Sequence, residues 1–253
     1  MPAITVVREP TVTILSRPHF VPPTAVPSPL DDSPSDGERL AEFAGRVRTM
    51  SPPAPADRST RDYLETIKTQ GLVSVFEHAT YSLLLDGVSL SLSHELVRPR
   101  SGFSFSERSP RYVAEHDMSF VLPPALSGDT ALEGLWQNQM AAALESHRSL
   151  VDALMLRYGW MNDKVHRRKI AREAAQGVLP GSAATSLVMT GNARAWRSML
   201  ERRAGEQADL EMRRLAILIV RLLQLEAPAF FSDFEVYQAT DRREAARVAK
   251  RTA

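Results

Sequence analysis

The chain contains no cysteine. That excludes disulfides, thiolate zinc sites, iron–sulfur clusters and every mechanism built on a cysteine nucleophile. It has no apolar run near the roughly eighteen residues that a membrane-spanning helix needs. Charge of one sign is not in excess: 31 Lys+Arg stand against 30 Asp+Glu, a formal net charge of +1. There is therefore no bulk field of the kind that draws a protein to nucleic acid or to an anionic membrane, and neither is expected as a partner. The first residues lack a basic stretch followed by an apolar core, so the expected location is the cytoplasm. Phosphate-cradling Walker loops, GxGxxG and GxSxG are absent. His94-Glu95-Leu96 is not followed by the second histidine of a zinc-protease helix, and no metal site is expected.

The 253 residues are 43% hydrophobic and 24% charged, an ordinary globular composition. They are read as one α+β domain over residues 1–253, helix-rich. Eleven of the seventeen prolines fall within the first 55 residues. Residues 18–37 read as a Pro-, Ser- and Asp-rich arm, Ser51-Pro52-Pro53-Ala54-Pro55 as a loop, and 238–253 as a polar tail. Strands are expected at 11–15, at 80–86 ending on Asp86-Gly87, and at 185–190. Helices are expected at 38–49, from Ser59 or Thr60 to Gln70 with Gly71 as the stop, and at 90–98, 164–176, 192–204 and 207–226. The stretch 130–158 reads as a long amphipathic helix, with Leu132, Leu135, Met140, Leu144, Leu150, Leu154 and Leu156 as its apolar positions.

Two segments carry chemistry. Residues 94–112 pack four arginines, four serines, two glutamates and three aromatics into nineteen positions. Arginine forks bind phosphate and carboxylate through paired hydrogen bonds, and serine hydroxyls with loop amides complete an anion cradle. A solvated Ser/Arg loop accounts for the same composition. In residues 190–209, Asn192 suits a helix N-cap, and Trp196, Met199 and Leu200 share one face with Arg203 at its margin. An arginine there either snorkels to solvent or needs a buried partner.

Together with Ser74-Val75-Phe76-Glu77-His78, these segments resemble the flavin-dependent thymidylate synthases. That family carries Arg-His-Arg, a seven-residue spacer, then Ser-x-Arg-Tyr. Here the motif stands as Arg98-Pro99-Arg100, eight residues, then Ser109-Pro110-Arg111-Tyr112. Further blocks agree over roughly residues 10–236: Phe43-Ala44-Gly45-Arg46, His94-Glu95-Leu96-Val97, Leu122-Pro123-Pro124, Val178-Leu179-Pro180, Thr190-Gly191-Asn192, Arg203-Ala204, Asp209 and Arg213-Arg214-Leu215-Ala216.

The resemblance implies a helix-rich α+β fold around a central antiparallel sheet, and a homotetramer with active sites built between subunits. It implies C5-methylation of a uridylate, with methylenetetrahydrofolate as carbon donor, FAD as hydride source and NADPH as reductant. The absence of cysteine agrees, since the classical thymidylate synthases attack uracil with one. By position, Ser74, Arg98, Arg100, Asn192, Arg194 and Ser198 become flavin-binding residues, with Ser74 reaching a neighbouring subunit. Glu95, Glu107, Arg108, Ser109, Arg111 and Gln176 become nucleotide-binding residues, with Ser109 and Arg111 at the phosphate. Arg203 becomes the catalytic residue: a fixed cation beside the uracil O2/N3 edge favours the N3-deprotonated ring, whose C5 is the better carbon nucleophile.

The chain departs from that pattern. Pro99 replaces the motif histidine, fixing φ and removing an N–H, and the spacer is one residue longer. Gln176 stands where a phosphate-side arginine is usual, with Arg172 one helical turn earlier. Ser198 and Gln207 occupy positions that are often histidine. These changes bear on flavin binding and on the choice between dUMP and UMP. A divergent member serving nucleoside-antibiotic biosynthesis could take UMP, and a relaxed site would accept both UMP and dUMP, because a pocket not built against a ribose hydroxyl rejects it weakly. A catalytically impaired FAD- or nucleotide-binding paralogue and an NADPH oxidase are the alternatives.

Overall fold

The structure is a computed structural model that describes residues 4–23, 33, 35–49, 59–114 and 117–249. Half of the Pro-rich arm, residues 24–32 and 34, and all of the Ser51–Pro55 loop lie outside them. In chain order the elements are β1 (Thr5–Val7), β2 (Thr11–Ser16), α1 (Asp36–Thr49), α2 (Thr60–Thr69), β3 (Thr80–Ser89), α3 (Leu90–Leu96), β4 (Phe103–Glu107), β5 (Ser119–Val121), α4 (Thr130–Arg157), α5 (Lys164–Ala175), β6 (Ala184–Asn192), α6 (Ala193–Arg203), α7 (Leu210–Glu226), α8 (Pro228–Phe231), β7 (Phe234–Gln238) and β8 (Glu244–Val248). Short 3-10 turns occupy Val73–His78, Pro110–Tyr112 and Gln176–Val178. A four-stranded sheet has the order β2-β3-β6-β4, while β1-β5 and β7-β8 are separate pairs, the first parallel and the second antiparallel. The architecture is mixed α+β. Among the described residues no helix is long and apolar enough to cross a membrane.

Two compact units divide the chain: Met1–Thr11 with Leu85–Arg98 and Ser106–Leu187, and Val12–Leu84 with Pro99–Phe105 and Val188–Ala253. The first unit is built on α4. Asp129 caps this helix, its carboxylate accepting from the N–H groups of Ala131 and Leu132. The buried face of α4 is Trp136, Met140, Leu144, His147 and Val151, a three-to-four-residue period. Trp136, Met140 and Leu144 pack against Met118, Phe120 and Leu122 around β5, and Val151 against Ala171 and Ala175 of α5. This corrects part of the expected stripe: Leu132, Leu135, Leu150 and Leu156 are exposed. The sequence offers leucine on more than one face, so period alone does not choose the side that meets a neighbour.

Strand β3 also runs further than expected, through Gly87 to Ser89. Burial alternates at Tyr81, Leu83 and Leu85, then slips by one to Val88. Gly87 makes the slip possible, with φ +70, and a Cβ there would lie 2.9 Å from Val7 Cγ1.

The second unit is built on α6, capped by Asn192, whose side-chain oxygen accepts from Ala195 N–H. Trp196 is fully buried; its indole N–H donates to Tyr81 O at 3.3 Å, and Phe103 meets it edge-on at 5.0 Å. Arg197, also buried, donates to both carboxylate oxygens of Asp233 at 2.6 and 2.8 Å. Arg213 of α7 is buried and pairs with Asp241. Residues 244–248, in the stretch that composition reads as a polar tail, form β8, with Ala245 and Ala246 buried.

Two predictions concern stability. Trp196→Ala removes the largest fully buried side chain and should cost about 3–5 kcal/mol, measured by denaturant unfolding; a cost below 1 kcal/mol would show that α6 is not anchored there. In the first unit the Arg8 guanidinium, followed by the Gly128 N–H, pulls the Glu133 carboxyl from 4.5 down to about 2. A lowered folded-state pKa gives stabilisation that is present above the unfolded value and lost as pH falls toward the folded one. Glu133→Gln should therefore flatten the decline in melting temperature between pH 4.5 and about 2; a decline as steep as the parent's would contradict this.

Candidate functional site

Each unit holds a polar recess built from segments far apart in sequence. In the first unit a recess of about 530 Å³ is lined by His94 of α3, by Glu107, Arg108 and Ser109 where β4 ends, and by Gln176 after α5. Its back is closed by tight backbone approach. Leu90 N–H donates to Ala183 O and Ser91 N–H to Gly181 O, both at 3.0 Å. A Cβ at Gly181 would meet the Ser91 hydroxyl.

Charge in this recess is organised rather than dense. Glu107 accepts from Ser93 Oγ at 2.7 Å, and Arg108 donates to Ala184 O at 3.2 Å. Arg111 donates from Nε to Ser109 Oγ at 3.2 Å, and its Nη1 lies 3.4 Å from a Glu173 oxygen. The serine hydroxyl is thus held beside a guanidinium, a pairing suited to a phosphate oxygen. Gln176 Nε2 is buried with no hydrogen-bond partner among the described residues. A buried amide donor without a partner is costly and is satisfied by a bound acceptor. Glu95 and Arg98 belong to the same unit but do not line this recess; they pair with each other at 3.2 Å.

In the second unit a recess of about 460 Å³ brings together Arg100, Asn192, Arg194 and Ser198, with Glu77, Gly102 and Arg202. Arg194 pairs with Glu77 at 2.5 Å, and Arg202 donates to Ser198 Oγ at 2.9 Å. Three guanidiniums against one carboxylate make the lining cationic. Gly102, at φ +77, lets the loop after Arg100 lie on the start of α6: an added Cβ would stand 2.8 Å from Ala195 Cβ and 2.9 Å from Asn192 Nδ2. Asn192 N–H donates to Gly102 O at 3.3 Å. Pro99 lies in this loop. Ser74 is exposed on the 3-10 turn and does not line the recess. Arg203 is half-buried at the last turn of α6, at the edge of the face formed by Trp196, Met199 and Leu200.

Sequence reasoning missed Glu77 as the holder of Arg194, and missed Arg202. The signal for the second was present: Arg194, Ser198 and Arg202 recur every four residues and so share one face of α6. His94, part of a family block in the sequence, was given no site role there.

Comparison with known proteins now places the chain. Residues 30–229 match the family described as "Thymidylate synthase complementing protein". A "Flavin-dependent thymidylate synthase" of Mycobacterium sp. (strain KMS) is 42% identical over 243 residues, covering 93% of this chain and 94% of that protein. Another, of Mycobacterium tuberculosis (strain ATCC 25177 / H37Ra), is 40% identical over 237 residues with the same coverage. The chain belongs to the flavin-dependent thymidylate synthase family.

Gly102→Ala tests the loop geometry. It should cost about 1–3 kcal/mol, because it forces a side chain into the left-handed region against α6. The denaturation midpoint measures it, and an unchanged midpoint would show that the loop is free to move off the helix.

Proposed function

We propose that this protein methylates C5 of a uridylate, using methylenetetrahydrofolate as carbon donor and NADPH-reduced FAD, and that it works as a cytoplasmic homotetramer with active sites shared between subunits. The observation that carries the reading is the first-unit recess. Of the residues assigned to the nucleotide, Glu107, Arg108, Ser109 and Gln176 line one cavity, with Arg111 hydrogen-bonded to Ser109 beside it, while Glu95 and Arg203 do not line it.

The second-unit recess suits FAD by its donor set. Arg100, Arg194 and Arg202 supply the cations that a diphosphate requires. Asn192 and Ser198 supply neutral hydrogen-bonding groups, and Gly102 leaves the backbone accessible where a Cβ would intrude. Reduced flavin supplies the hydride that completes the methyl group.

In this reading Ser109 and Arg111 hold the nucleotide phosphate, with Gln176 adding a neutral donor where the family usually has an arginine. Glu95, Glu107 and Arg108 orient the sugar and base. Arg203 holds the pyrimidine edge as a cation and draws the ring toward its N3-deprotonated form, raising electron density at C5. Ser109 acts as a hydrogen-bonding group and not as a nucleophile, since no base is positioned on its hydroxyl by the described contacts. Arg98 and Ser74, outside the recess of their own chain, serve the flavin from a neighbouring subunit.

The test is a competition assay. Protein, FAD, NADPH and methylenetetrahydrofolate are incubated with equal dUMP and UMP, and the nucleotides are weighed by mass spectrometry. A gain of one methyl group on either nucleotide supports the reading, and a gain on UMP identifies the nucleoside-pathway branch. No gain on either, with FAD still bound, overturns it in favour of a binding paralogue; oxygen consumption without nucleotide would indicate an NADPH oxidase. Arg203→Ala should lower methylation by about two to three orders of magnitude while FAD stays bound. Full turnover in that variant would refute the assigned role.

A further inference from the structure

Helix α3 carries a buried polar residue that no motif block and no assigned site includes. Its inward face is Leu92, Ser93 and Leu96, and Ser93 is fully buried. A serine hydroxyl in apolar surroundings is costly unless it is hydrogen-bonded, and alanine is the better helix former at such a position. Ser93 Oγ has two acceptors in reach: Leu90 O at 3.0 Å and Glu107 Oε1 at 2.7 Å. One hydroxyl has one proton to donate. A bond to a carboxylate is about twice as strong as a bond between neutral groups, and shorter, so the proton goes to Glu107. The bond to Leu90 O is a local back-bond that serine can make in many helices. The bond to Glu107 joins two elements fourteen residues apart.

Glu107 is the last residue of the edge strand β4 and lines the first-unit recess with Ser109 and Gln176. The backbone that follows it is fixed by β6: Arg108 N–H donates to Ser186 O at 2.9 Å, and Thr185 Oγ1 donates to Arg108 O at 3.2 Å. The Glu107 side chain is exposed, and among the described residues Ser93 supplies its one hydrogen bond. A glutamate on a strand end rotates about three bonds. A ligand that needs one setting of them bears the entropy of freezing the rest. The Ser93 bond removes that cost beforehand. It occupies Oε1 and leaves Oε2 as the open acceptor. Ser93 itself does not line the recess.

We propose that Ser93 is a positioning residue for nucleotide recognition: it sets the Glu107 carboxylate in one orientation before the nucleotide arrives, so that Oε2 meets a hydrogen-bond donor of the sugar or base. Ser93 acts through Glu107 alone and touches no ligand. The identity of the ligand rests on the methylation reading; the coupling of Ser93 to Glu107 is read from the contacts of this chain.

FAD-loaded protein is titrated calorimetrically with UMP and with dUMP, using the parent, Ser93→Ala, Glu107→Ala and the double variant. Ser93→Ala should weaken the tighter-bound nucleotide by about three- to tenfold, the cost of ordering one flexible side chain on binding. Flavin content, read from its absorbance, should not change. In the Glu107→Ala background the same substitution should have no effect, because no carboxylate is left to position. A disturbance of α3 itself would persist there, since His94 of the same helix also lines the recess. Ser93→Ala is compatible with folding: alanine favours the helix, and water reaches the exposed carboxylate that loses its donor. Affinity in Ser93→Ala equal to the parent's or above it overturns the proposal and leaves the methylation reading intact. A loss that persists without Glu107 also overturns it and makes Ser93 structural only. Binding of neither nucleotide by the parent overturns both readings. The coupled loss in a protein that transfers no methyl group would sink the methylation reading and leave the proposal standing.

Discussion

The second unit depends on the rotational setting of α6. A helix presents four faces, and burying Trp196, Arg197, Met199 and Leu200 leaves no freedom in which residues point elsewhere. The indole N–H bonded to Tyr81 O, the edge contact with Phe103 and the Arg197–Asp233 fork each fix that setting from a different side. The consequence is chemical. Arg194, Ser198 and Arg202, four residues apart, are turned together into the smaller recess, while Arg203 is left at the boundary of the buried face. A cation at such a boundary is held by its apolar neighbours along its stem.

The first unit solves a different problem, that of making a small cavity from three short segments. Here the devices are backbone contacts. The pairing of Leu90 and Ser91 with Ala183 and Gly181 brings the start of α3 against the chain that follows α5. A Cβ at 181 would meet the Ser91 hydroxyl in its present rotamer. Long helix α4 supplies the apolar mass that holds this arrangement, through a face of Trp136, Met140 and Leu144 against Phe120 and Leu122. The result is a recess whose polar groups are already oriented by one another, with Ser109 beside Arg111 and Glu107 beside Ser93.

Much of this was legible in the residues. The sequence offers Ser59 or Thr60, and Asn192, as N-caps and Gly71 as a helix stop; the structure takes Ser59 and Asn192 and puts Gly71 at positive φ, since capping is a local interaction. The family followed from ordered motif blocks and is confirmed by the matched relatives. Strands β1, β5, β7 and β8 were not legible. They are three to five residues long, too short for a periodic signal of their own; β1 and β5 pair across distant sequence, and β7 and β8 with each other across a short connection. The strand β4 inside the Ser/Arg segment was hidden for a related reason: its alternating Phe103 and Phe105 are only half-buried.

The sequence by itself determined the family, the absence of cysteine chemistry, the helix caps and the residue types available for anion binding. Only the tertiary structure decided which face of α4 is core, that Gln176 and Ser109 line one cavity, that Arg98 turns to Glu95 instead of to a recess, and that Lys68 is buried beside Asp233. The division has one cause. Capping, turn chemistry and motif spacing act over a few residues and are written in local order. Burial and the pairing of charges are set by elements that meet only when the chain has folded, and a leucine or a lysine carries no local mark of the neighbour that it will find.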